Sequence, residues 1–108
     1  MRSAYLGEFE ELTLLAVKAI SEPTYGVPVQ QYVERAAGRA VSMGAVYATL
    51  TRLEVKGLLR SVQGEPTPTR GGKRKRLYDV TPEGMRALRD IKRVRDRLWR
   101  VIDVGARS

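Results

Sequence analysis

Ser42-Met43-Gly44-Ala45-Val46-Tyr47-Ala48-Thr49-Leu50-Thr51-Arg52-Leu53-Glu54-Val55-Lys56-Gly57 reads as one helix with a boundary signal at each end. Ser42 suits the N-cap, where its hydroxyl can accept from an orphan backbone N–H of the first turn. Gly57 suits the left-handed position after the last turn, where a Cβ would be penalised. At about 100° per residue, Val46, Leu50 and Leu53 share one narrow face with Met43 at its edge, and that face is expected to be buried. The opposite face carries Gly44, Ala48, Thr51, Arg52 and Val55, where an ordinary surface helix would carry Glu and Lys. Short side chains and donors are what a helix needs in order to enter a major groove. Ser42, Met43, Gly44, Ala45, Tyr47, Ala48, Thr51 and Arg52 are therefore the candidate contacts to double-stranded DNA. Tyr47 lies between the two faces, where a phenol could reach a phosphate oxygen. The competing reading of this stretch is a surface helix in an unrelated small domain, and its flanks argue against that.

Upstream, residues 8–21 hold Phe9, Leu12, Leu14, Leu15, Ala16, Val17, Ala19 and Ile20, apolar nearly all the way round, which predicts a helix buried in the middle of the domain. Glu8, Glu10 and Glu11 fall in its first turn, favourably for the helix dipole. Glu22-Pro23-Thr24-Tyr25-Gly26 is a turn, and Pro28 fits the first turn of a second helix. There Val29, Tyr32, Val33, Ala36 and Ala37 form the inner face, with Gln30, Gln31, Glu34 and Arg35 outside. The link Gly38-Arg39-Ala40-Val41 has the length of a helix-turn-helix connection.

Downstream, Leu58–Gln63 is strand-like, the Pro- and Gly-rich Gly64–Gly72 is expected to be irregular, and Lys73–Thr81 resumes as a strand with Tyr78 and Val80 on one face. This is a β-hairpin with a basic tip. Arg70, Gly71, Gly72, Lys73, Arg74, Lys75 and Arg76 are its candidate contacts to the DNA backbone. Pro82 opens a last helix with Thr81 as N-cap. Leu88, Ile91, Val94, Leu98, Val101 and Ile102 form one apolar stripe along it, with Met85 and Trp99 at the border. A helix from 82 to 103 would run about 33 Å, longer than a small domain can cover, so the surplus stripe predicts a second copy of the chain. Leu88, Ile91, Val94, Leu98, Trp99, Val101 and Ile102 are the candidate dimer surface. Trp99 either fills that interface or stacks on a planar ligand. The expected fold is mainly α with a small β-hairpin: a winged helix-turn-helix over 1–81, followed by a long C-terminal dimerisation helix and short tail over 82–108.

The 108 residues suffice for one compact domain. Net charge is +8 and the pI about 10.3. Residues 1–57 are balanced, with six basic and six acidic side chains, whereas residues 58–81 hold six against two and residues 82–108 eight against four. A localised positive surface beside a candidate reading helix points to a polyanion, with an anionic membrane as the competing partner. Cysteine and histidine are absent, which removes disulfides, cysteine-ligated zinc and the common nucleophile–base pairs. The pattern of a phosphate-binding loop fails at both ends of Gly72-Lys73, with Thr67 where a glycine is required and Arg74 where Ser or Thr is required. The expectation is a non-enzymatic, cytoplasmic protein with no metal, no cofactor, no signal peptide and no membrane span.

Several pieces in order resemble the PadR-like family of bacterial transcriptional regulators. They are Leu6-Gly7-Glu8-Phe9-Glu10, Tyr25-Gly26, Gly44-Ala45-Val46-Tyr47 with Leu50, and Arg52-Leu53-Glu54 through Gly57-Leu58. Gly71-Gly72-Lys73-Arg74 with Tyr78 and Thr81-Pro82-Glu83-Gly84 complete the set. The resemblance covers residues 6–88 almost continuously. Leu77 departs from it where an aromatic residue is common, and Pro28 where a helix former is usual. It implies a homodimer joined by the C-terminal helix, a palindromic operator and repression, in a short form with a single helix after the wing. Some members of the family respond to small aromatic or cationic compounds, so release by such an effector stays open. Two alternatives remain beside it: a winged-helix module whose basic hairpin binds an acidic protein, and a basic protein that coats DNA without sequence choice.

Overall fold

The computed structural model describes residues 6–66 and 74–107. The elements follow the order α1 (Glu8–Ile20), α2 (Gly26–Ala37), α3 (Met43–Val55), β1 (Leu59–Pro66), β2 (Arg74–Val80) and α4 (Pro82–Arg107). Leu14, Ala16 and Val17 of α1, Val29 and Val33 of α2, and Val46, Leu50 and Leu53 of α3 bury together with Leu58, Leu59, Tyr78, Val80, Ala87 and Leu88. This is a winged-helix core, with three helices under a two-stranded antiparallel hairpin.

The helix ends explain why the chain turns where it does. Gly7 N–H donates to the Glu10 carboxylate at 2.9 Å, which caps α1 from inside its first turn. Gly38, at φ 70°, ends α2. Ser42 Oγ accepts from Ala45 N–H at 3.1 Å at the start of α3. At its other end Gly57 adopts φ 79° and donates to the Glu54 carbonyl, while Leu58 N–H reaches the Leu53 carbonyl; the two bonds complete a Schellman turn. Thr81 links this turn to α4. Its hydroxyl donates to the Gly57 carbonyl at 2.7 Å and accepts from Gly84 N–H at 3.0 Å.

The hairpin pairs Leu59 with Val80, Ser61 with Tyr78 and Gln63 with Arg76, and its register shifts between Gln63 and Pro66. Thr24 adds a short third rung by exchanging two backbone hydrogen bonds with Tyr78, which fixes the hairpin to the turn between α1 and α2.

Five expectations are corrected. The helix over 8–21 is not buried all round, because Leu15 is 45% exposed and Ala19 is exposed; on that side α1 meets α4 across an open groove. On α2, Tyr32, Ala36 and Ala37 face solvent, since the helix touches the core along a line of Gly26, Val29 and Val33 only. Gly64-Glu65-Pro66 is not irregular but belongs to β1, the register shift absorbing the extra residue. A Cβ on Gly64 would lie 3.0 Å from the Lys75 carbonyl and 3.2 Å from Leu77, so Leu77 packs into the space that this glycine leaves. Leu88, expected between two copies, is buried in the protomer's own core, with Ile91 packed against it. The core thus continues past residue 81, and α4 extends to Arg107 instead of ending near 103.

Candidate nucleic-acid interface

α3 presents an exposed outer face of Gly44, Ala45, Ala48, Thr51 and Val55, while Val46, Thr49, Leu50 and Leu53 lock its inner face into the core. Among the described residues, nothing lies within 4 Å of where a Gly44 Cβ would stand. The turn leading into α3 is held by α2. Gln30 donates to the Val41 carbonyl at 2.8 Å, and the Glu34 carboxylate accepts from Val41 N–H at 2.8 Å. The sequence pattern places both residues on the outside of α2, yet they are half-buried because they stitch this turn.

Both edges of the outer face are engaged within the protomer. On one side Tyr47 lies over Gly26, whose Cβ would fall 2.6 Å from the ring. The phenol expected to reach a phosphate is therefore packed on the start of α2, although 48% of the residue stays exposed. On the same side Glu54 accepts from Ser61 Oγ at 2.6 Å, and Ser61 accepts from Arg76 at 3.1 Å, so α3, β1 and β2 share one polar relay. Burial first, and then the charge of Glu54, push the Tyr78 phenol above its usual range; it stays neutral in the core.

On the other side Arg52 donates to Thr49 Oγ1 at 3.1 Å and to Glu10 at 3.4 Å. Its guanidinium, expected at bases or phosphates, is turned toward α1. Lys56 Nζ lies 2.9 Å from both Glu10 oxygens. Burial pushes the Glu10 carboxyl up, but the Lys56 hydrogen bond, the Gly7 N–H and Arg52 outweigh it and hold the group below the ordinary carboxylate range. Residue spacing placed Glu10 only at a helix terminus. Its near-complete burial, with 7% exposed, is a tertiary fact that the sequence signals solely by a third carboxylate in one turn.

Of the wing residues, Arg70, Gly71, Gly72 and Lys73 lie outside the described residues. Arg74 opens β2. Lys75 Nζ sits 4.9 Å from the centre of the Tyr25 ring, a cation–π contact that ties β2 to the N-terminus of α2. Arg76 is exposed beside Ser61.

On α4 the candidate dimer residues divide. Leu88 and Ile91 face the protomer, whereas Val94, Leu98, Trp99, Val101 and Ile102 are 50–67% exposed, as is Val104 at 66%. Trp99 lines a groove of about 580 Å3 between α1 and α4, together with the apolar Leu15, Ala19, Met85 and Leu88 and the charged Glu11, Lys92 and Arg95. Arg95 spans the groove to Glu11 at 2.6 Å, and that contact raises the guanidinium's already high pKa. Among the described residues no His, Cys, Asp and Glu group could hold a metal ion, and no helix is long and apolar enough to cross a membrane.

This arrangement matches known proteins. The model of the transcriptional regulator PadR-like family matches residues 14–90. A transcriptional regulator of Mycobacterium tuberculosis is 39% identical over 71 residues, spanning 66% of this chain and 62% of that protein, so less than two thirds of the relative's length is matched. The crystal structure of a PadR-like transcription factor from Bacteroides fragilis superposes with a TM-score of 0.72 at 23% identity, covering 88% of this chain and 86% of that one. A PadR family regulator from Eggerthella lenta does so with a TM-score of 0.60 at 28% identity, over 92% and 82% of the two chains. Fold and matched residues agree, and the chain belongs to the PadR-like family of transcriptional regulators.

Proposed function

We propose that two copies of the chain, joined along α4, bind an inverted-repeat operator and repress transcription. The observation that carries this reading is the outer face of α3: Gly44, Ala45, Ala48 and Thr51 are exposed, small and without acid, on a helix whose inner face is fully anchored. A helix of that profile enters a major groove, and two related by a dimer axis meet the duplex one turn apart, roughly 34 Å. Ser42 and Met43 stand at its leading end. Arg70, Lys73 and Arg74 supply charge for the flanking phosphates, which adds affinity with little sequence choice. The apolar residues from Val94 to Val104, exposed on one protomer, are the surface a partner copy would cover. In the same reading the α1–α4 groove beside Trp99 is large enough for a small aromatic effector.

The test is a titration against DNA from immediately upstream of the gene, with scrambled duplex as competitor, at two salt concentrations. Competitor-resistant binding at two protomers per site is expected. Affinity should fall by about 10³ to 10⁵ between 50 and 200 mM salt if six to ten phosphates are engaged. Equal competition by scrambled DNA would leave a DNA-coating protein, and no binding at either salt would leave a protein-interaction module. An effector role requires a compound that both quenches Trp99 fluorescence and releases the operator.

A further inference from the structure

Glu10 belongs to the first turn of α1, yet its carboxylate crosses to α3, meeting side chains 42 and 46 positions further along the chain. Both oxygens accept from Lys56 Nζ at 2.9 Å, and Oε2 accepts from Arg52 Nε at 3.4 Å. The second arm of Arg52 is taken by Thr49. Arg52 and Lys56 are the only basic residues between Ser42 and Gly57, and they stand one turn apart at the edge of the exposed α3 face. Both cations of the helix thus contact one carboxylate that is only 7% exposed, while the Arg52 side chain stays 56% and the Lys56 side chain 32% exposed. An ion pair on a buried carboxylate is screened less than one made to an exposed phosphate.

We propose that Glu10 is a positioning residue that withholds the cations of α3 from the phosphate backbone, so that indiscriminate attraction to any duplex stays low and the small outer face decides which sequence is held. The inference rests on the operator-binding reading above. Its logic is that sequence-independent affinity grows with every cation that displaces a counterion, whereas specificity is the margin over that background.

Salt titrations on operator and scrambled duplex test it in three proteins: the full chain, Glu10→Gln and Lys56→Gln. In Glu10→Gln the slope of log K against log salt on scrambled duplex should steepen by about 0.9 for each cation released per protomer. Affinity for scrambled duplex at about 50 mM salt should rise on the order of ten-fold, narrowing the preference for the operator. Lys56→Gln should keep the slope of the unaltered chain, because that charge is already committed. A folded Glu10→Gln with an unchanged slope would overturn the inference. So would a Lys56→Gln slope flattened by about 0.9 per protomer, a result that needs no stable Glu10 variant. If the unaltered chain binds no duplex at low salt, the operator-binding reading falls and takes this inference with it. Contrary slopes in a chain that does bind reject the inference alone.

Discussion

Gly44 and Gly84 both lie in helices, but a methyl group would meet open space at one and a carbonyl oxygen at the other. At Gly84 a Cβ would stand 2.3 Å from the Leu58 carbonyl oxygen and 2.8 Å from Val80, where α4 passes over the start of β1. Gly84→Ala is therefore expected to lower stability by about 1–3 kcal/mol, as overpacking against backbone does. Gly44→Ala should raise stability by roughly 0.5–1 kcal/mol through helix propensity, while in the operator-binding reading a bulky Gly44→Leu should weaken DNA binding without unfolding the chain. Thermal unfolding read beside a binding titration separates the two effects, and equal loss of stability at both glycines would contradict the close approach at Gly84. Glu10 gives a pH signature at the same scale. Its folded pKa lies below the ordinary value of 4.5, so its contribution is complete above that value and is lost as pH falls through the folded one. Acid unfolding of Glu10→Gln should accordingly show a shallower decline in stability below about pH 4.5, with the difference vanishing at lower pH. Matching acid limbs in the two proteins would mean that the ion cluster contributes nothing to the fold.

The hairpin is held as an element by three unlike interactions. Tyr78 and Val80 are buried under it, Thr24 adds a rung at its base, and Lys75 lies on the Tyr25 ring. Lys75 therefore ties the wing to the start of α2, and in the operator-binding reading Arg70, Lys73 and Arg74 supply charge for the phosphates. Replacing these three together by alanine is expected to flatten the salt slope by roughly 0.9 for each phosphate no longer neutralised, equally on operator and scrambled duplex. Lys75→Ala should instead loosen the wing, which hydrogen exchange at the β2 amides would report. A slope that stays the same after the triple replacement would remove the wing from the backbone-clamping role.

At the scale of the whole molecule the controlling feature is how far α4 outruns the core. Its 26 residues extend about 39 Å in a molecule whose longest dimension is 63 Å, and burial stops at Leu88 and Ile91. In the reading of two copies joined along α4, the double change Leu98→Glu with Ile102→Glu should leave the protomer folded, because both side chains are already exposed, but should abolish self-association in sedimentation equilibrium. Leu88→Ala should do the opposite kind of damage, costing about 2–5 kcal/mol of stability through a cavity in the core. Persistence of a dimer in the double variant would place the contact between copies elsewhere.

The order of elements was legible along the chain because it depends on local chemistry. Ser42, Gly57, Thr81 and Pro82 mark ends through groups a few positions away, and the period of Val46, Leu50 and Leu53 marks a face whatever it packs against. The small outer face of α3 and the surplus length of α4 were legible for the same reason. What periodicity leaves open is the partner of each side chain, since one apolar stripe serves a protomer core and a contact between copies equally well. Folding assigned Leu88 to the first and left Leu98 exposed. Folding likewise turned Arg52 and Lys56 toward a carboxylate more than forty positions upstream and laid Tyr47 on Gly26. Contacts at such separation follow from how helices pack in three dimensions, which no local spacing encodes.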